Sequence, residues 1–97
     1  MVKYKVSAVS YLNTIPFICG LKNSSIFNQI ELTLDFPALC ADKLLNNQVD
    51  IGLIPVTTIP KIKNAQIISD YCIGANGAVD TVCLYSDVPI EEVQTIA

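Results

Sequence analysis

Val9-Ser10-Tyr11-Leu12-Asn13-Thr14-Ile15-Pro16 is the stretch in which an apolar β-strand ends and a helix begins. Small polar side chains fill the junction, and Pro16 is tolerated in the first turn of a helix because no N–H partner is lost there. In an open α/β sheet, the carboxyl end of a strand and the start of the next helix present unpaired N–H groups and a partial positive charge. The stretch therefore predicts an α/β fold with an anion-binding site at this junction.

Around this junction the hydrophobic pattern predicts the order strand, helix, strand, helix, strand. The predicted strands are residues 3–9, 30–36 and 50–54. Asn13 or Thr14 is expected to cap the first helix, which ends at Gly20 and the polar residues after it. Pro37 opens the second helix, and Asn46-Asn47 closes it. This order predicts a mainly parallel sheet flanked by helices, with the carboxyl ends of the first and third strands at one edge.

The strands differ in their polarity. The second strand alternates strictly and is expected near the edge of the sheet, whereas the third is almost wholly apolar and is expected at its centre. Two further strands are predicted at residues 65–73 and 78–85. Asn76-Gly77 between them predicts either a plain hairpin turn or a glycine-rich nest that also faces a ligand. A last helical turn is predicted at residues 89–93, with Asp87 as its cap.

Two groups of polar residues leave alternatives open. Thr57 and Thr58 either cap a short helix before Pro60 or face a ligand together with the first junction. Asp80 lies inside an otherwise apolar strand, where a carboxylate is costly to bury without a partner. It therefore lies either on a solvated face or at a cleft that uses its charge.

Composition and length predict one domain that is covered in part by other protein. The 97 residues are 52% apolar and only 15% charged, against about 25% charged residues in an average protein. Either the sheet is buried on both faces or the chain is part of a larger protein, and the apolar run at residues 93–97 favours the second. A lobe that exposes a large apolar face is also expected to associate with itself.

Charge and cysteine usage exclude several classes of function. A net charge of -3 without arginine argues against nucleic acid, and no apolar run is long enough for a membrane span. The N-terminus has no room for a signal peptide, so we expect a cytoplasmic protein. The four cysteines are too far apart for a zinc site and are expected as buried thiols. The chain has no histidine, and we expect neither a metal nor a cofactor.

Three segments carry a resemblance to a known family. They are the octet at residues 9–16, residues 50–56 (Asp-Ile-Gly-Leu-Ile-Pro-Val), and residues 73–86 (Ile-Gly-Ala-Asn-Gly-Ala-Val-Asp-Thr-Val-Cys-Leu-Tyr-Ser). In this order they resemble the N-terminal half of the chorismate dehydratases of the futalosine route to menaquinone. The resemblance implies one lobe of a type II periplasmic-binding-protein-like fold. It implies that residues 1–97 are the N-terminal lobe, without the second lobe and the returning C-terminal segment.

The resemblance also implies a function and a site. The implied reaction is the dehydration of chorismate to 3-[(1-carboxyvinyl)oxy]benzoate. The resemblance also implies catalytic roles for Asn13 and Asp80. The residues expected to bind substrate are Ser10, Tyr11, Thr14, Val56, Thr57, Gly77 and Thr81. The proton acceptor stays open between Asp80, a group in the second lobe and a carboxylate of the substrate.

Two features of the chain depart from this family. Residues 55–58 (Pro-Val-Thr-Thr) replace a more serine-rich sequence, and no arginine is present to pair with a dianion. The alternative function is a solute-binding module of the same fold, which binds a small anion without chemistry. We expect the chain alone to be inactive, because half of a cleft cannot enclose a substrate.

Overall fold

The computed structural model describes residues 2–79 and 83–96. Over these residues the chain forms three strands, β1 (Tyr4–Val9), β2 (Ile30–Asp35) and β3 (Ile51–Gly52). Two α-helices flank them, α1 (Ile15–Lys22) and α2 (Pro37–Leu45). Short 3₁₀ helices cover Leu12–Thr14, Ser25–Gln29, Val56–Lys61 and Ile90–Glu92. All the strand pairs are parallel, which confirms the predicted α/β class with a parallel sheet.

The sheet is built around β1, in the order β2-β1-β3. β1 pairs with β2 from Tyr4 opposite Ile30 to Val9 opposite Asp35, and with β3 only at Val6 and Ser7. The predicted edge position of β2 is confirmed, but the predicted central position of the third strand is wrong. β3 contributes two ladder residues and the chain soon reaches Pro55, which has no N–H for a ladder.

The start and the end of α1 differ in part from the sequence prediction. Pro16 lies in the first turn of α1 as predicted, but no side chain caps this helix. The 3₁₀ turn at Leu12–Thr14 leads directly into α1, so that Thr14 has helical backbone angles and the predicted capping by Asn13 or Thr14 is wrong. Gly20 lies inside α1, which ends at Lys22 and not at the glycine.

The end of α2 agrees with the sequence prediction. Asn46 follows the last helical residue, and its side-chain Nδ2 donates to the Asp42 carbonyl at 2.9 Å. Asn47 has a positive φ of 56°, and its N–H donates to the Leu44 carbonyl at 3.2 Å. Asparagine tolerates this left-handed conformation better than most residues, which explains why the helix stops here.

The buried apolar side chains are concentrated on β1 and α2. Among the described residues they are Ala8 and Val9 of the strand and Cys40 and Ala41 of the helix, each at most 7% exposed. Because successive strand side chains point to opposite faces, Val9 shares with Ser7 the face toward α2, and Ala8 lies on the other face. α2 packs against β1 and β3. Cys40 is buried as predicted, whereas the other three cysteines, Cys19, Cys72 and Cys83, are exposed, and the prediction of buried thiols is wrong for them. These three lie outside β1 and α2, the two elements that carry the buried apolar side chains of the described residues.

Beyond β3, the predicted strands do not form in the described residues. In the described ranges, residues 65–73, the described parts of 78–85 and residues 93–96 are not assigned to any strand. Gly77 adopts a positive φ of 94°, but the described residues on either side of it form no antiparallel strands. The radius of gyration is 16.9 Å, against about 12–13 Å for a compact domain of this length. Strand propensity alone does not make a strand, because the ladder hydrogen bonds need a neighbour.

The remaining short elements differ in one detail from the prediction. A single 3₁₀ turn at Ile90–Glu92 lies within the predicted helical turn, but Pro89 and not Asp87 precedes it, without a side-chain cap. No helix in the described ranges is both long and apolar enough to cross a membrane.

Replacement of Ala8 by aspartate tests whether β1 is the centre of the fold. Ala8 is 4% exposed, so that Ala8→Asp places a carboxylate without a partner at a buried position on one face of the sheet. We expect a loss of about 3 kcal/mol or more in the free energy of unfolding, measured by urea denaturation followed by circular dichroism. Val2→Asp is the matched control, because Val2 is 92% exposed. Equal denaturation midpoints for the two variants would contradict the central role of β1.

Candidate functional site

The candidate site lies at the carboxyl edge of the sheet. The Ser10 N–H donates to the Asp35 carbonyl at 2.8 Å, which joins the ends of β1 and β2. The Leu53 N–H donates to the Ser7 carbonyl at 2.9 Å, just after β3. Because all three strands are parallel, the chain leaves each of them at the same edge, as the sequence predicted. The segments after β1 and β3 therefore start at the same edge of the sheet.

Two helical turns begin beside this edge. Leu12–Thr14 follows β1 and continues into α1, while Val56–Lys61 follows β3. The first N–H groups of such turns have no partner within the helix and carry a partial positive charge. Neither α1 nor the Val56–Lys61 turn has an acidic residue in its first turn. The edge is therefore electrostatically suited to an anion.

The predicted site residues fall into three groups. Those that are exposed on the segments following β1 and β3 are Ser10, Tyr11, Asn13, Val56 and Thr57. Gly77 is exposed on the later segment that forms no strand. Asp80 and Thr81 lie outside the described residues. Thr14 is the exception, because it is fully buried.

Thr14 has a buried hydroxyl that no other described residue satisfies. The residue is 0% exposed, and its Oγ1 atom has no hydrogen-bond partner among the described residues. Leaving a buried hydroxyl without a partner costs about 1–3 kcal/mol, and such groups are rare in native proteins. Its position between the 3₁₀ turn and α1 marks the junction that the sequence singled out.

Two surface cavities lie elsewhere. One, of about 150 Å³, lies over the start of the sheet and is lined by Lys5, Glu31, Thr33, Lys43, Gln48 and Val49. The other, of about 380 Å³, is formed by residues 83–86 together with Val93, Thr95 and Ile96. None of the predicted site residues lines either of them. The candidate site is thus an open edge, and the roles of its residues stay predictions.

Sequence analysis missed a polar cluster behind this edge. Its hub is the Asp35 carboxylate, and three donors from three elements point to the same oxygen, Oδ2. They are the Ser7 hydroxyl at 2.8 Å, the Thr33 hydroxyl at 3.2 Å and the Lys43 ammonium group at 2.7 Å. The Ser7 hydroxyl also lies 3.2 Å from the Cys40 sulfur, but its single proton favours the charged oxygen.

This cluster is shielded from water more than a surface ion pair. Ser7 is 0% exposed, and the side chains of Asp35 and Lys43 are 12% and 22% exposed. The Lys43 ammonium group, followed by the Ser7 hydroxyl, lowers the pKa of the Asp35 carboxyl, against the opposing effect of burial. Asp35 is therefore ionised at neutral pH.

Only part of this cluster had a signal in the sequence. Thr33 and Asp35 are two residues apart on a strand and share a face by the period-2 rule. The position of Ser7 opposite Thr33 depends on the register between β1 and β2, and Lys43 reaches Asp35 only because α2 packs against the sheet. No spacing rule connects these residues. Within the described ranges, no three side chains of the metal-binding kinds form a group that could hold a metal ion.

The lowered pKa of Asp35 predicts a loss of stability in acid. A depressed pKa in the folded state stabilises the protein at neutral pH, and this stabilisation is lost as the pH falls below about 3.9, the ordinary value for aspartate. Lys43→Met should lower the free energy of unfolding at pH 7 by about 1 kcal/mol. In this variant the free energy of unfolding should also fall less between pH 6 and pH 3 than it does in the parent, measured by urea denaturation at each pH.

The control for this experiment is Lys63→Met, which removes the same charge from an exposed position. This variant should keep the pH dependence of the parent chain. If Lys43→Met and Lys63→Met behave alike at every pH, the pair with Asp35 contributes nothing to stability.

Comparison with known proteins identifies the family. A protein-family model described as menaquinone biosynthesis matches residues 4–97. No solved structure matches the chain. The match covers nearly the whole sequence, including the junction after β1, the segment after β3 and residues 73–86. The chain belongs to the menaquinone biosynthesis family, in agreement with the resemblance carried by these three segments.

Proposed function

We propose that the carboxyl edge of the sheet binds chorismate, and that this chain forms one lobe of a lyase that dehydrates it. The product is 3-[(1-carboxyvinyl)oxy]benzoate. Membership of the menaquinone biosynthesis family supports a role in that pathway. The observation that supports an anionic ligand is the common edge itself, where the segments after β1 and β3 begin helical turns that have no acidic residue in their first turn.

The chemistry requires positioning and charge placement. A base removes the ring proton next to the enolpyruvyl ether, and the electron pair of the broken C–H bond forms a ring double bond. The neighbouring C–O bond breaks, and the hydroxyl group leaves as water after it takes up a proton. Because the product ring is aromatic, the enzyme mainly orients the substrate and stabilises the negative charge that develops.

The described residues supply the binding part of this proposal. The exposed Asn13 amide is available to hydrogen-bond the leaving hydroxyl or a carboxylate of chorismate. The N–H groups of Val56 and Thr57, at the start of their helical turn, are available to a second carboxylate. The Ser10 N–H is already bonded to Asp35, so the donor that Ser10 offers to a substrate is its side-chain hydroxyl.

The proton acceptor is not among the groups described at the edge. Lys43 is paired with Asp35, and the nearby side chains Ser10, Asn13 and Thr57 are poor bases. The candidates are Asp80, a group of a second lobe and a carboxylate of the substrate itself. The edge is also open to water, so we expect the 97-residue chain to bind chorismate weakly and not to turn it over.

A titration of the ¹⁵N-labelled chain with chorismate tests the binding proposal. We expect the amide signals of Asn13 and Thr57 to shift, and Asn13→Ala to weaken the affinity about tenfold through the loss of one charged hydrogen bond. Asn28→Ala is the matched control, because it removes the same amide from an exposed position before β2. Unchanged signals at both Asn13 and Thr57 in saturating chorismate would refute the edge as the binding site.

A turnover assay separates the lyase from a solute-binding module. In a family protein with both lobes, chorismate should disappear as the ultraviolet absorption of a substituted benzoate grows. Asn13→Ala should lower kcat at least tenfold. If chorismate binds and is recovered unchanged, the chain belongs to a binding module and the proposed dehydration is wrong.

A further inference from the structure

The polar cluster behind the edge is connected to the candidate site through Asp35. Its backbone carbonyl accepts the Ser10 N–H at 2.8 Å, and Ser10 is the first residue after β1. Its side chain accepts hydrogen bonds from Ser7, Thr33 and Lys43. One residue thus holds the exit of β1 through its main chain and holds β1, β2 and α2 together through its carboxylate.

The position of this cluster explains why it acts on the edge and not on the whole sheet. Asp35 is the last residue of β2, opposite Val9, the last residue of β1. Beyond this pair, the Ser10 N–H bond to the Asp35 carbonyl continues the hydrogen bonding between the two strands toward the junction. Cys40, fully buried on α2, covers the cluster and lies 3.8 Å from the Asp35 carbonyl.

The charge of Asp35 is needed because every partner of its Oδ2 atom is a donor. A carboxylate oxygen accepts several hydrogen bonds, and its charge strengthens the bond from the Lys43 ammonium group. Loss of that charge leaves a partly buried lysine without its counter-ion and two hydroxyls with a weaker acceptor. The side chain of residue 35 is then held by weaker hydrogen bonds, so that its backbone carbonyl can move away from the Ser10 N–H.

We infer that Asp35 is a positioning residue for the candidate site, which it serves by fixing Ser10 and the following turn relative to β2 and α2. It touches no substrate in this role and acts through Ser10. The expected effect on chorismate binding rests on the proposed function, whereas the positioning of Ser10 is a property of this chain. Positioning and binding are therefore measured separately.

Amide hydrogen exchange of the chain, followed by nuclear magnetic resonance, measures the positioning. The Ser10 amide should exchange at least tenfold faster in Asp35→Asn and in Lys43→Met than in the parent. Lys43→Arg keeps the cation and should restore slow exchange. Glu31→Gln is the matched control, because it removes a carboxylate from the same strand at an exposed position and should leave Ser10 unchanged.

An internal reference distinguishes positioning from loss of the fold. The Asp50 N–H donates to the Lys5 carbonyl at 2.9 Å, at the other end of β1. Its exchange rate should rise at most about fivefold in Asp35→Asn and Lys43→Met, which is the effect of the general loss of stability expected for Lys43→Met, and should stay unchanged in Lys43→Arg and Glu31→Gln. The inference is overturned if Ser10 exchange is unchanged in Asp35→Asn and Lys43→Met, or if Ser10 and Asp50 accelerate by the same factor.

The affinity for chorismate then measures the consequence for the site. Asp35→Asn should raise the Kd at least threefold, while Glu31→Gln should not change it. A parent chain that does not bind chorismate refutes the proposed function, while the exchange rates still decide the role of Asp35. Faster exchange at Ser10 together with an unchanged Kd overturns the role of Asp35 in binding.

Discussion

The parallel pairing of β1 with strands on both of its sides is the constraint on which the rest of the structure depends. Six residue pairs join β1 to β2, and two join it to β3. Because both neighbours run in the same direction as β1, every strand delivers the chain to the same edge. The segments that begin at Ser10 and Leu53 start there, and a site built from both is possible only for this reason.

The interface between the sheet and α2 is unusual in that its interior is partly polar. Ser7 is fully buried and its hydroxyl is satisfied by Asp35, whose charge is balanced by Lys43. The buried hydroxyl of Thr14 differs, because no described residue satisfies it. A buried polar group with a partner specifies one arrangement of its neighbours, whereas a group without a partner costs stability. The Ser7 hydroxyl therefore belongs to the scaffold, whereas the Thr14 hydroxyl is a cost in stability at the junction.

The local pattern predicted β1, β2 and both helices closely, because each has its own periodicity and its own end signal. Pro16 and Pro37 lie in the first turns of their helices, and Asn46-Asn47 ends α2. Residues 65–73 have the composition of a strand but pair with nothing in the described chain. A high content of apolar, β-branched residues indicates a propensity for β-structure, but a segment becomes a strand only when it hydrogen-bonds to a neighbouring strand. The same reasoning explains why the apolar third strand is not central.

By itself, the sequence determined the class of fold, the order of its first five elements and the junction at residues 9–16, because these follow from periodicity and helix-start signals within a few residues. The three motifs also determined the family. Only the tertiary structure decided that β1 lies at the centre, that Thr14 is buried while Asn13 is exposed, and that Asp35 collects donors from Ser7, Thr33 and Lys43. Those contacts join residues up to 28 positions apart, and their partners are set by strand register and helix packing, which no local pattern encodes.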